Sequence, residues 1–263
     1  MQIDLWSGRS PPGFDSSLGA APSLTAYLTD ARAPGGAVIV LPGGGYGGHA
    51  PHEAEPIALW VNGMGLSAFI LRYRVAPYRH PWPLADAQRA MRVVRSNAKK
   101  WGIEAGRIGI LGFSAGGHLA VSAGVLHRLA CYPLRDAADE LSARPDFMVA
   151  CYPVITFGPS RHDGSMRNLL GESPDPELRR LLSLEQSVDA ETAPAFIWHT
   201  ANDEAVPVAN SLLLASSLQS NGVSFELHVF RDGRHGLGLA ADRPDVSVWT
   251  KLCESWILKQ MGV

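Results

Sequence analysis

Two rhythms of apolar and polar residues alternate along this chain. Six short runs are nearly continuous in apolar and β-branched side chains: GAVIVL (36–41), SAFILRYRV (67–75), RIGILGF (107–113), DFMVACYPV (146–154), AFIWHT (195–200) and FELHVF (225–230). Their length and their Gly, Pro and polar borders predict strands buried on both faces. Between them lie helical stretches, the clearest being LADAQRAMRVVRSNAKKW (84–101). There Ala87, Met91, Val94 and Ala98 recur at spacings of four, three and four, which is one face of a helix. Buried strands alternating with helices predict an α/β architecture, a mostly parallel central sheet of about eight strands with helices on both faces.

The ends and one interior section depart from this rhythm. IDLW and LTAYLT, within the first 35 residues, read as an antiparallel strand pair, and DARAPGG (30–36) links them to the parallel part. That preface is too short for a separate domain, so residues 1–263 are expected to form one. The section 156–194 is the longest without a strand, polar and punctuated by Pro174 and Pro176, with one short helix expected at 176–182. An insertion there falls at the carboxyl edge of the sheet, where α/β proteins bind ligands.

Composition narrows the function classes. With 263 residues, 46% of them hydrophobic, the chain can bury one large core. A formal net charge of −2 with 18% charged residues leaves no basic stripe, which argues against nucleic acid or an anionic membrane as partner and for a small, uncharged one. Cys131, Cys151 and Cys253 are widely spaced and odd in number, the pattern of core thiols rather than of a disulfide framework or a zinc site. The start, MQIDLWSGRSPPG, has neither the basic residues nor the apolar run of a secretion signal, and no stretch is long enough to span a membrane. The expected location is the cytoplasm.

Candidate chemistry centres on GFSAGG (112–117), directly after a predicted strand. Glycines there could merely punctuate a loop, with the serine capping a helix. The alternative is a nucleophile elbow, in which small neighbours allow a sharp strand-to-helix turn that lifts Ser114 clear of the backbone. A nucleophilic serine needs a histidine base and a carboxylate later in the chain. Of nine histidines, His235 in DGRHGLGL stands on a glycine-rich loop just past the last predicted strand, where its ring can reach the sheet edge. His118, His199 and His228 are expected to be structural, and His127 and His162 solvated. His49 and His52, beside Glu53 and Glu55, lack any established metal-ligand spacing. For the acid, Asp203 lies in the turn off strand 195–200, Glu204 belongs to a first helical turn, and Asp232 is a turn residue on the histidine's own loop. Asp203 is preferred, which gives the order serine, acid, histidine. VLPGGGYGG (40–48) follows an earlier strand without the Lys-Ser/Thr of a phosphate loop, so the N–H groups of Gly44, Gly45 and Ala115 are assigned to an oxyanion hole. Tyr46, His80 and Trp82 are candidate pocket walls for a sugar ring, with a core role for Trp82 equally open.

Taken together, LPGGGY, RYRVAP, HPWPLADAQRAMRVVR, GFSAGGHLA, WHTANDEAVPV and GRHGLGLA resemble the capless α/β-hydrolase esterases grouped with acetylxylan and feruloyl esterases, the xylanase-like sugar hydrolases. The likeness runs from about Ile3 to Trp256. It implies a serine carboxylesterase with Ser114, Asp203 and His235 as triad, the oxyanion hole named above, no metal or organic cofactor, and no large cap domain. Hormone-sensitive-lipase relatives carry His-Gly-Gly-Gly where this chain has Pro42 before its glycines, and the preface is too short for their helical cap. Both departures favour short acyl groups. The expected substrate is an acetyl ester of a sugar such as an acetylated xylo-oligosaccharide, the sugar resting on the resemblance alone. Alternatives are a generic short-chain or feruloyl esterase, a small serine peptidase lacking the usual gating domain, and an inactive binding module.

Overall fold

A strand sends successive side chains to opposite faces, and in the computed structural model, which describes residues 1–6, 8–29 and 35–262, that parity divides one sheet between two cores. The strands are β1 (Gln2–Asp4), β2 (Ser23–Tyr27), β3 (Gly35–Leu41), β4 (Ser67–Arg72), β5 (Ile103–Phe113), β6 (Phe147–Cys151), β7 (Ala195–Thr200) and β8 (Phe225–Phe230). Their order across the sheet is β1-β2-β4-β3-β5-β6-β7-β8. β1 pairs antiparallel with β2 and β2 antiparallel with β4, and all pairs from β4 to β8 are parallel. Residues 30–34 of the DARAPGG link lie outside the described residues.

Among the described residues there are eight α-helices, in chain order α1 (Glu55–Gly63), α2 (Trp82–Ser96), α3 (Ala115–Val125), α4 (Asp163–Leu170), α5 (Pro176–Leu181), α6 (Ala209–Ser220), α7 (Pro244–Ser247) and α8 (Trp249–Gln260). On one face Ala37, Ile39, Ile108, Ile110, Met148 and Ile197 pack with Met91 of α2, Leu119 of α3 and Leu214 of α6. Their strand neighbours Val38, Val40, Leu111, Phe113, Val149 and Trp198 pack on the other face with Ile57 of α1 and Trp249 and Ile257 of α8. Each fully buried side chain of this size contributes roughly 1.5–3 kcal/mol, so both faces are needed. The sheet is thus the doubly covered, mostly parallel one expected, and no cap domain is evident among the described residues.

Several boundaries differ from those the sequence suggests: α2 runs Trp82–Ser96 rather than to 101, and β5 begins at Ile103 rather than at 107. β4 stops at Arg72 because the next residues bond elsewhere: the Tyr73 hydroxyl donates to Pro42 O and the Arg74 N–H to Asp86 Oδ2. β6 stops at Cys151 because Tyr152 turns to φ 37°, outside any strand conformation. The section 156–194 contains α4 as well as α5; α4 is capped by His162, whose Nδ1 accepts the Ser165 N–H at 3.1 Å.

Two buried arginines fasten the N-terminal preface to α2. Arg74 pairs bidentately with Asp86, Nε to Oδ2 at 2.8 Å and Nη2 to Oδ1 at 2.7 Å, and donates to Pro12 O. Arg89 donates to Leu5 O and to Asp136 and Asp139. The Arg74–Asp86 side chains are both fully buried, and a buried charge that loses its partner costs about 3–5 kcal/mol. Asp86→Ala is therefore expected to lower the unfolding free energy by about that amount, read from urea titration. Glu177→Ala, which breaks the exposed pair with Arg180, should leave the midpoint nearly unchanged; equal losses in both variants would contradict the assignment.

Candidate active site

The turn at GFSAGG is made by backbones that pass too close for side chains. A Cβ on Gly112 would lie 2.0 Å from Gly116 O, and one on Gly116 would lie 2.2 Å from Leu41 O. α3 can therefore start directly over the ends of β5 and β3 only with glycine at both positions. Ser114 sits between β5 and α3 at φ 52°, ψ −117°. Such a conformation costs a non-glycine residue on the order of 1–3 kcal/mol and persists where surroundings impose it. Here the Ser114 N–H donates to Cys151 O at 3.0 Å, and Ser114 O accepts from His118 N–H at 3.0 Å and Val154 N–H at 3.1 Å.

His235 and Asp203 meet this serine from the loops after β8 and β7. His235 Nε2 is 2.8 Å from Ser114 Oγ, and His235 Nδ1 is 2.6 Å from Asp203 Oδ2. A carboxylate only accepts, so Nδ1 carries the proton and Nε2 is left to accept from the serine hydroxyl. Asp203 Oδ1 accepts the N–H groups of Ala205 and Val206, each at 2.9 Å. Burial alone would raise the Asp203 pKa, but the bonds from His199 and His235 and from the Val206 N–H outweigh it and hold the carboxyl well below its ordinary value. Of the competing carboxylates, Glu204 is exposed and Asp232 bonds the Asn202 side chain at 3.4 Å.

The glycine loop lies against the serine: a Cβ on Gly43 would be 3.1 Å from Ser114 Cβ. Gly43 N–H donates to Glu53 Oε2 at 2.8 Å. The N–H groups of Gly44, Gly45 and Ala115 donate to no protein acceptor among the described residues, so they remain available to a ligand. Gly44 (φ 130°) and Gly45 (φ 62°) hold backbone angles that side chains disfavour.

The aromatic pocket walls require correction. Tyr46 is 1% exposed, with its hydroxyl on His118 Nδ1 at 2.9 Å, and presents no face to a ligand. Trp82 lies beneath the Arg74 guanidinium, 4.9 Å from it, and against Gly13, which makes it part of the fastening of the preface. His80 is half-buried, and burial pushes its pKa down to about 4. His235 itself lines a cavity of about 400 Å³, and a second of about 390 Å³ lies next to it, the two sharing Arg234. Asn202, Glu204, Asp232, Arg234 and Arg243 line the first, and His52, Arg234, Leu237 and Leu239 the second.

Other histidines sort as their environments dictate. His118 is fully buried between Tyr46 and Leu182 O, and burial pushes its pKa down to about 4. His199, structural in its bonds to Ser211 Oγ and Val206 O, also places Nε2 3.4 Å from Asp203 Oδ2. His49 stands edge-on to Tyr73 while His52 Nε2 approaches Gly236 O at 3.0 Å, so the two form no metal pair. Among the described residues no three His, Cys, Asp or Glu side chains gather as around a metal ion. Sequence reasoning missed His162, which is half-buried rather than solvated and is 3.9 Å from a Cβ on Gly45. It also missed Asn168, whose amide donates to Gly45 O at 2.9 Å and ties α4 to the glycine loop.

Known proteins place the chain. The BD-FAE family model matches residues 26–218. Endo-1,4-beta-xylanase B of Butyrivibrio fibrisolvens is 39% identical over 243 residues, 91% of this chain and 38% of that protein. An acetylxylan esterase of Xylanibacter ruminicola is 33% identical over 210 residues, 78% of this chain and 41% of that protein. The chain thus spans about two fifths of the length of these curated relatives. The crystal structure of an acetyl ester-xyloside bifunctional hydrolase from Caldicellulosiruptor lactoaceticus superposes with a TM-score of 0.95 at 49% identity, covering 98% of this chain and 96% of that one. The chain belongs to the BD-FAE family of α/β-hydrolase esterases.

The geometry separates the carboxylates. Asp203→Asn should cost roughly ten-thousand-fold in kcat, because an amide no longer holds the imidazole in the accepting tautomer. Asp232→Asn should stay within a few-fold. Ester hydrolysis by the two purified variants reads the difference, and the reverse ranking would remove Asp203 from the site.

Proposed function

We propose that the chain is a carboxylic ester hydrolase working by double displacement, with Ser114 as nucleophile, His235 as general base and Asp203 as its orienting carboxylate. The observation that carries this reading is the unbroken hydrogen-bonded line from Asp203 Oδ2 through His235 to Ser114 Oγ, at 2.6 and 2.8 Å. Ser114 Oγ attacks the ester carbon as its proton passes to His235 Nε2, and the carbonyl electron pair moves onto oxygen. The N–H groups of Gly44, Gly45 and Ala115 receive that oxyanion, each such donor being worth about 3 kcal/mol in the transition state. Collapse expels the alcohol, protonated by His235, and leaves an acyl-Ser114. Water, deprotonated by the same imidazole, then releases the acid. These steps need no metal or organic cofactor.

Substrate shape follows from the walls. Each methylene of an acyl chain gains about 0.8 kcal/mol only where apolar surface buries it. The cavity that His235 lines is bordered by Asn202, Glu204, Asp232, Arg234 and Arg243, and the neighbouring one, although Pro56, Leu237, Leu239 and Ala240 give it apolar walls, is open to solvent rather than an enclosed tunnel. That favours a short acyl group, acetyl above all, on a hydroxyl-rich alcohol. The names of the acetylxylan esterase and of the acetyl ester-xyloside hydrolase support a xylose-based one, so acetylated xylo-oligosaccharides are the proposed substrates. A reducing, cytoplasmic setting suits the three buried, unpaired cysteines. No helix among the described residues is long and apolar enough to cross a membrane.

Ser114→Ala should fold and lose ester hydrolysis by several orders of magnitude. On wild-type protein, aryl esters of two to twelve carbons should be cleaved fastest at two to four, and acetate should be released from acetylated xylo-oligosaccharides. A preference for eight carbons or more would overturn the short-acyl reading, and good aryl-acetate turnover without sugar deacetylation would remove the carbohydrate.

A further inference from the structure

Glu53 ends the helical turn Pro51–Glu53 and is 2% exposed. Among the described residues its ion-pair contact is with His52 of the same turn, 3.6 Å from Oε1. Its two oxygens serve neutral donors from different parts of the chain. Oε2 accepts the Gly43 N–H at 2.8 Å, and Oε1 accepts the Tyr152 hydroxyl at 2.6 Å. The Tyr152 oxygen in turn accepts the Gly238 N–H at 2.8 Å. Burial and the nearby Glu53 charge raise the Tyr152 pKa, so the phenol keeps the proton it donates. Its ring stands edge-on to the His235 ring, with centroids 5.0 Å apart. A hydrogen-bonded chain thus runs from the glycine loop after β3 to the histidine loop after β8. An isolated buried carboxylate is costly, and filling space between two loops would not require one.

We infer that Glu53 is a positioning residue: through Gly43 and Tyr152 it fixes the distance between the glycine loop and the loop carrying His235. The inference rests on the proposed hydrolase reading of the site. In that reaction the carbonyl oxygen must reach the loop's N–H groups while His235 stays on Ser114 Oγ, and a misplacement of about 1 Å can cost 100-fold. By occupying the Gly43 N–H, Glu53 also keeps that donor from competing with those of Gly44 and Gly45.

Glu53→Gln keeps the volume but replaces one acceptor oxygen with an NH₂ group, so it cannot serve both donors. It should lower kcat for an aryl acetate by about 10- to 100-fold, less than the 100- to 1,000-fold of deleting an oxyanion donor, with KM within about threefold. Tyr152→Phe keeps the ring on His235, loses the hydroxyl, and should show the same split. Because both act through one bonded chain, the double variant should fall no more than about threefold below the weaker single variant. Asp86→Ala, destabilised but remote from the site, should keep its kcat where it is folded, which separates positioning from stability. Unchanged kcat in either single variant, a loss confined to KM, or a double loss equal to the product of the singles would overturn the inference. If Glu53→Gln fails to fold, Tyr152→Phe decides by the same kcat criterion. Ser114→Ala run in parallel separates the two levels: activity retained there overturns the hydrolase reading, whereas an inert Ser114→Ala beside an unchanged Glu53→Gln overturns only the role of Glu53.

Discussion

The close crossing of α3 over the ends of β5 and β3 is the contact on which the site depends. Two glycines, Gly112 and Gly116, leave the only room there is for the backbones to meet, and Ser114 takes its unusual φ because the chain must reverse within one residue. Strand order then determines where partners can come from. β6 and β7 lie between β5 and β8, so the histidine loop after β8 must reach back across two strands and the acid turn after β7 across the width of β6. Tyr152, just past the end of β6, fills that width: its ring contacts Phe113, Trp198 and His235.

Two buried carboxylates serve this edge, and both are satisfied by hydrogen bonds rather than by lysine or arginine. Asp203 has two backbone N–H groups on one oxygen and two imidazoles near the other. Glu53 has one backbone N–H and one phenol. Such an arrangement keeps charge in place without an arginine that would compete for an oxyanion. The buried arginines are used elsewhere, with Arg74 and Arg89 binding the preface to α2, far along the chain from the elbow.

The legible part of this molecule is the part that repeats or that is covalently close. The apolar, β-branched runs AFIWHT and FELHVF coincide with β7 and β8 to the residue, because such runs bordered by turn residues suit only strands covered by the cores. The elbow and the loops bearing Asp203 and His235 could be read because strand ends localise them before any contact is known. Pocket walls could not. Tyr46 and Trp82 are aromatic and adjacent to the right loops, yet whether a ring turns toward ligand or core depends on partners distant in sequence, His118 for one and Arg74 with Gly13 for the other. Glu53 was visible only as a neighbour of two histidines, because its donors Gly43 and Tyr152 are brought to it by the sheet. Helix α4 was hidden by Gly164 and Ser165 in its first turn, and His162 supplies the cap that offsets them.

The central claim is that Ser114 alone among the serines is activated, and a serine-directed aryl phosphonate tests it without assuming any substrate. Intact-mass measurement followed by peptide mapping should find one adduct per chain, on the peptide containing Ser114, with no adduct in His235→Ala over the same exposure. A stable adduct on another residue, or labelling of Ser114 that proceeds equally fast without His235, would contradict the account.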